Sequence, residues 1–364
     1  MVEASQNARK KVAILIEDGF EDSEFKVPYT ALRQAGAKVW VLGSRMNQEY
    51  RGKQGKVSIK PDGTTTEARV QDFDAVIIPG GLAPDTMRNN PNTVNFVKEA
   101  IAEDKIVAAV CHGPQVLIEA DLLRDRRVTG FTSIRKDMEN AGATYIDEPL
   151  AIDGTLITSR QPGDLAIFTT AILSRLMLQI PDRTLPEESD TQVEWWELAA
   201  SWGGSSRSEI VEGLNTALAG ERYTHEAFQH YAERTSDTAL RLLLLEIVEK
   251  KASHIELLEG RLQAIGEQLF FPSVAAGALA NAMSWLQSSE DIEILRRALG
   301  DIQTGMVDCY NLRTKYTDPV STMIFTTLEQ DLAESEQRLA SLYQASLGMG
   351  EPQPAAPSTG VAVG

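Results

Sequence analysis

An α/β sandwich on a mostly parallel sheet, followed by an all-α four-helix bundle, is the fold class that this 364-residue sequence predicts. Two observations predict it. Short runs that are apolar on both faces alternate with amphipathic stretches as far as residue 178, whereas beyond residue 208 apolar residues recur every three or four positions. Between these halves lies a stretch rich in Pro, Gly and Ser that follows neither period.

The strand-like runs of the first half are "KVAILI", "KVWVLG", "DAVIIPGG", "KIVAAVC", "RVTGF" and "GTLITS". Amphipathic segments, Glu24 to Ala35, Asn92 to Glu103 and Pro114 to Leu123, fall between several of them. Strands apolar on both faces and separated by helices indicate a parallel sheet covered on both sides. Sites are then expected beyond the carboxyl ends of the strands. Residues 181 to 207, "PDRTLPEES" and later "SWGGSSRS", read as a linker, although Trp195, Trp196 and Trp202 suit packing better than free chain. Four helices follow: Ser208 to Arg234, Thr238 to Glu267, a third from about Ser273 to Lys315, and Asp318 to Ser346, with Gly266, Pro272 and Pro319 at boundaries. The expected division is 1–10 disordered, 11–178 the α/β domain, 179–207 the linker, 208–347 the bundle and 348–364 a disordered tail, "GEPQPAAPSTGVAVG" being small and Pro-rich.

Bulk properties narrow the function. A net charge of −17 argues against nucleic acid or an anionic membrane surface as a partner. Two cysteines, Cys111 and Cys309, cannot build a disulfide framework and suit a reducing compartment. No run approaches the roughly 20 apolar residues of a membrane span, and the early run Val12 to Ile16 is too short for a signal peptide core. A cytoplasmic protein is expected.

"KIVAAVCHGPQVLIEA" then sets Cys111 and His112 where a strand ends and a helix begins. A nucleophile on such a turn faces the amino end of the next helix, whose N–H groups and dipole favour thiolate and lower a thiol pKa from about 8.5. Ala109 and Gly113 leave room for the tight geometry. The His112 N–H points where an oxyanion would form, and Gly80-Gly81 in "IIPGG" lets a second stretch of backbone approach closely. A small buried cysteine with no chemistry is the alternative reading of the same residue.

"AAVCHGPQVLIEADLL" resembles the nucleophile region of the PfpI family, the peptidase-like and deglycase-like branch of the class I glutamine amidotransferase superfamily. "EDGFEDSEFKVPYTALRQAG", "DFDAVIIPGGLAPDTMRNNP", "TSIRKDMENAGATYID" and "ITSRQPGDL" resemble its other segments in the same order, from about Lys11 to Leu178. The resemblance implies a flavodoxin-like, doubly wound sheet and a set of roles: Cys111 as nucleophile, His112 as general base, and Glu24 as the carboxyl beside the sulfur. It places Asp85, where many members carry Glu, as an acid reaching the histidine from a neighbouring subunit, and hence implies a homo-oligomer of at least two chains. Gly80 and Gly81 supply the oxyanion hole, and Glu21 is a second acid at the mouth. In "SRQPGDL", Asp164 suits a helix start and is kept outside the site.

The bundle opens with "LNTALAGERYTHEAFQHYAERTSDTALRLLLLEIVEKKASHIELLEGRL", which resembles the first helix pair of ferritin-like proteins of the rubrerythrin kind. In that family a Glu and an E-x-x-H pair from each half bind two irons. Glu221 and His254 fall on two of those positions, but Lys251 stands where a bridging Glu belongs. In the second half Asp301 can stand for the first acid, while Leu332 and Ser335 occupy the E-x-x-H positions. A complete metal site is therefore not expected, no cofactor is called for, and the bundle reads as an interaction or oligomerisation module. His225 and His230 read as surface residues, and Cys309 as a small buried one.

The expected function is a cysteine-dependent hydrolase or lyase of PfpI type acting on a small reactive carbonyl or a glycated substrate, as glyoxalases and deglycases do. An intracellular cysteine peptidase and a non-enzymatic redox sensor working through Cys111 are the alternatives.

Overall fold

The computed structural model of the protein describes residues 9–267 and 290–348. The expected disorder of 1–10 (but for its last two residues) and of the tail from 349, and the start of the third helix near Pro272 and Ser273, lie outside the described residues.

Seven strands form the central sheet in the order Leu150–Asp153, Leu156–Ser159, Ile106–Val110, Ala75–Ile78, Lys11–Leu15, Lys38–Gly43 and Gly63–Thr64. All neighbours are parallel except the first pair. Val12 to Leu15, Ala75 to Ile78 and Val107 to Val110 are buried throughout, as strands covered on both faces must be. Each Val, Leu or Ile so buried contributes about 1.5–3 kcal/mol. Helices Asp22–Gln34, Pro91–Ala102, Pro114–Glu119 and Leu165–Arg175 supply the covering layers. The strand order makes the sheet doubly wound and flavodoxin-like.

Two sequence expectations shift. "RVTGF" contributes only Arg127–Val128, paired with Thr144–Tyr145 in a separate two-stranded sheet. The sheet edge is taken instead by Leu150–Asp153, a mostly half-buried four-residue strand that ends in an acid. The stretch read as a linker holds a helix, Trp195–Ser201, with Trp195 and Trp202 both buried.

Residues through Ile210, joined by Arg313–Met323, form one compact unit. Thr317 and Ser205 exchange hydrogen bonds within it, Ser205 N to Thr317 Oγ1 at 2.7 Å and Thr317 N to Ser205 Oγ at 3.2 Å. Residues Val211–Leu312 and those from Ile324 onward form the second unit. Its helices are Arg207–Arg234, Thr238–Ala264, Asp291–Arg313 and Pro319–Ser346. Phe228, Leu244, Leu258, Leu262, Ile302, Phe325, Leu328 and Leu339 fill its core, and side-chain pairs stitch the helices together: Arg222–Glu259 at 2.6 Å, Lys250–Glu334 at 2.7 Å and Gln303–Glu336 at 2.8 Å.

Candidate active site

The sheet order brings three sequence-distant turns to one point at the carboxyl ends of its strands. Cys111 ends the strand Ile106–Val110 with φ at +59°, a left-handed conformation that costs a side-chain-bearing residue of order 1–3 kcal/mol. Its N–H is held by Ser159 O at 3.0 Å and its carbonyl by Phe131 N at 2.9 Å. The strain is thus locked from both sides, and the sulfur is turned toward the loop that follows Ile78.

Glycine is required at that approach. A Cβ on Gly80 would lie 2.7 Å from His112 N, 2.8 Å from Cys111 Cβ and 2.8 Å from Glu24 Oε2. Gly81 adopts φ +79°, with Gly19 O and Glu21 N where a Cβ would go.

His112 Nδ1 stands 3.3 Å from Cys111 Sγ, and its Nε2 stands 3.2 Å from Ser133 Oγ. The imidazole stacks on Phe131 with ring centroids 5.0 Å apart. Burial and the charge of Lys53 lower its pKa, so the ring is a neutral base at neutral pH.

Glu24 is wholly buried, and its Oε2 accepts the Gly80 N–H at 2.6 Å. Burial, reinforced by Glu21, pushes its pKa up to about 8. Its Oε1 is buried without a hydrogen-bond partner among the described residues, and the carboxyl meets the Cys111 thiol. Glu21, buried and hydrogen-bonded by Gln54 Nε2 at 2.6 Å, is pushed up to about 7, chiefly by burial. Two carboxyls that hold protons near neutrality therefore border one thiol.

Two expectations need correction. The Cys111 thiol is not acidified: burial, then the Glu24 and Glu21 carboxylates, push its pKa well above the ordinary value, and the facing His112 N–H offsets only part of this. The following helix, Pro114–Glu119, spans only six residues. The Gly80 N–H is committed to Glu24 and is not an oxyanion donor; Gly81 and His112, whose N–H groups donate to no backbone carbonyl among the described residues, are the available pair. Asp85 is exposed on the short helix Ala83–Met87, and within the chain Ser133 Oγ meets the outer nitrogen of His112. The sequence reading missed Ser133, Phe131 and Gln54, since each meets the site from about 20 to 30 residues away with no motif of its own. Asp164 does serve structure, forked by Arg160 at 3.0 and 3.2 Å.

A strained cysteine on a strand-to-helix elbow, with a neutral histidine and a protonated carboxyl beside it, defines a thiol-nucleophile site at the head of an open α/β sheet. The chain belongs to the DJ-1/PfpI family, whose sequence profile matches residues 10–175. It is 41% identical over 167 residues to a Bacillus subtilis protein named as a candidate cysteine protease, YraA, and 40% identical over 168 residues to protein/nucleic acid deglycase 2 of Escherichia coli. Each match covers 98% of the relative and 46% of this chain. A crystal structure of a two-domain protein from Anabaena variabilis, with DJ-1/ThiJ/PfpI-like and ferritin-like domains, is similar over both parts. It is 55% identical, with a TM-score of 0.86, and the match covers 97% of this chain and all of that one. The second unit is accordingly ferritin-like.

In that unit the residues at the ferritin-like metal positions meet one another. Lys251, 2% exposed, sets its ammonium 3.2 Å from Glu221 Oε1, and His254 Nδ1 lies 2.9 Å from Glu221 Oε2. His254 Nε2 reaches Asp331 Oδ2 at 3.0 Å, and Lys251 also lies over the Phe228 ring. Leu332 and Ser335 are buried, and Ser335 Oγ donates to Asp331 O at 2.7 Å. A di-iron set does not fit: the ammonium sits against the carboxylate that should bind metal, and both nitrogens of the histidine are engaged. Lys251 supplies the positive charge that a metal would bring. Cys309 is buried, which pushes its pKa up to about 12, and His230 is a half-exposed partner of Glu233.

Proposed function

We propose that the first unit is a cysteine-dependent enzyme acting on small reactive carbonyls or the adducts they form, in the manner of glyoxalases and deglycases. The observation that carries this reading is the Cys111 sulfur, 3.3 Å from His112 Nδ1 and beside the protonated Glu24 carboxyl. A thiol pushed up by burial needs a base, and His112 is neutral and within reach.

For methylglyoxal, His112 Nδ1 takes the thiol proton while the sulfur bonds to the aldehyde carbon. The carbonyl electron pair moves to oxygen, which the Gly81 and His112 N–H groups face. Transfer of the proton on that carbon to the neighbouring ketone carbon, with the imidazolium proton passing to the ketone oxygen, yields a lactoyl thioester, and Glu21 and Glu24, titrating at about 7 and about 8, suit the carbon-to-carbon transfer. Water then cleaves the thioester, releasing lactate and restoring the thiol. Buried acids around the sulfur leave room for a small substrate more readily than for a folded chain. Asp85, exposed near the Gly-Gly turn, is available to a neighbouring subunit, which makes a homo-oligomer part of this reading.

Methylglyoxal turnover by wild type and Cys111→Ser, with lactate measured directly, tests it. Lactate from wild type alone is expected. Casein cleavage lost in Cys111→Ser without lactate formation would move the assignment to peptide hydrolysis. The redox-sensor reading is disfavoured because such a cysteine needs a low thiol pKa, opposite to the shift at Cys111.

A further inference from the structure

The family profile ends at residue 175, yet a residue far beyond it reaches the nucleophile's surroundings. Arg313, in the segment Arg313–Met323 that packs as part of the first unit, sets its guanidinium 5.0 Å from the centre of the Phe131 ring. Its Nη1 donates to Gln161 Oε1 at 3.2 Å. Arg313, Gln161 and Phe131 are all buried, so the guanidinium does not receive substrate. The ring it lies over is the one on which the His112 imidazole stacks, and the Phe131 N–H is the donor to the Cys111 carbonyl. Two residues later Ser133 meets His112 Nε2. The stretch 131–133 is thus the cradle of both reacting side chains, and Arg313 clamps its central ring.

We infer that Arg313 is a positioning residue for the thiol–imidazole pair: it fixes the plane of Phe131, which in turn fixes the plane in which His112 Nδ1 faces Cys111 Sγ. The inference rests on the proposed nucleophile and base roles of those two residues. A flat guanidinium matches an aromatic face better than an ammonium does, and the desolvated setting strengthens the contact. A His ring free to rock would meet the thiol less often in line, and misplacement of this kind lowers rate without touching substrate binding.

The test uses the full chain and reads Cys111 directly. Iodoacetamide alkylation of Cys111, located by mass spectrometry with Cys111→Ser as background, is followed from pH 5 to 10, alongside kcat and KM for methylglyoxal. Arg313→Met should slow alkylation and kcat roughly 10-fold, a part of what a positioned base contributes, with KM little changed and the histidine-dependent limb of the pH profile flattened. Arg313→Lys should recover part of the loss. Phe131→Leu should show the same loss, and the double variant Arg313→Met/Phe131→Leu should add little to either.

A folded Arg313→Met with a wild-type profile, or losses that simply add, would overturn the assignment. Should Arg313→Met not fold, wild-type profiles for both Arg313→Lys and Phe131→Leu overturn it equally. If wild type makes no lactate, the alkylation profile still reports the clamp, so failure of the carbonyl reading and failure of this one give different results.

Discussion

Two buried glutamates, one in each unit, answer burial in opposite ways. Glu24 sits among a thiol, a backbone N–H and another acid, and burial carries its pKa up to about 8. Glu221 is almost as buried, yet its pKa is lowered, because the His254 hydrogen bond and the Lys251 and His254 charges outweigh desolvation. The difference lies in the partners. A carboxyl without a cation stays protonated and can exchange a proton near neutrality, which is a property of reaction sites. A carboxyl with a buried ammonium and imidazole is held ionised and ties its helix to theirs. Burial of an ionisable group alone therefore does not fix its charge; the groups it meets decide the direction.

Removing one partner of the compensated cluster gives the largest expected effect. Glu221→Gln leaves Lys251 buried without its counter-charge and should cost about 3–5 kcal/mol at pH 7, measured by urea unfolding. Because the folded pKa of Glu221 lies below the unfolded one, its stabilisation is present above about pH 4.5 and fades as pH falls through the folded value. The gap between wild type and variant should narrow in that acid range; a constant gap would mean that lost packing, and not charge, is responsible.

Glu24→Gln should act at the other end of the pH scale. With the folded pKa raised, the protonated carboxyl is favoured, and wild-type stability should decline as pH rises from about 4.5 through about 8. The variant, which cannot ionise, should lack that part of the decline and exceed wild type by on the order of a few kcal/mol near pH 9. Cys111 alkylation should report the same event, its wild-type rise dampened above pH 8 as a charge appears beside the thiolate. Identical stability curves for the two proteins would show that Glu24 is already ionised in the fold.

The smallest effect is expected at the surface of the bundle. Lys250, paired with Glu334 at 2.7 Å across two helices, is accessible to water. Lys250→Ala should cost about 0–1 kcal/mol and less at high salt. A larger loss would place Lys250 with the buried cluster through its neighbour Asp331, 4.0 Å away.

How much of this was legible beforehand differs between the two sites as well. Cys111, His112 and the Gly80-Gly81 turn stood out because strand ends, turns and glycine are local signatures. Glu24 emerged as the partner of the sulfur only through the family pattern, and Lys251 as a misfit among metal positions only through the ferritin-like one. The direction of the Cys111 shift was misjudged, since a helix dipole can be read from sequence whereas two acids closing over the sulfur cannot. Gly80 was assigned to an oxyanion and instead binds Glu24, a choice made by a side chain 56 residues away.

The amino-acid sequence by itself determined the two periods, the parallel sheet, the helical second half and the reactive pair at Cys111 and His112. These depend on spacing along the chain and on backbone chemistry within a few residues. Tertiary structure alone decided the protonation of Glu21 and Glu24, the fit of Ser133 to His112, the orphaned Glu24 oxygen and the meeting of Arg313 with Phe131. Those outcomes depend on dielectric and on contacts between residues from 21 to 182 positions apart, which exist only once the chain has folded.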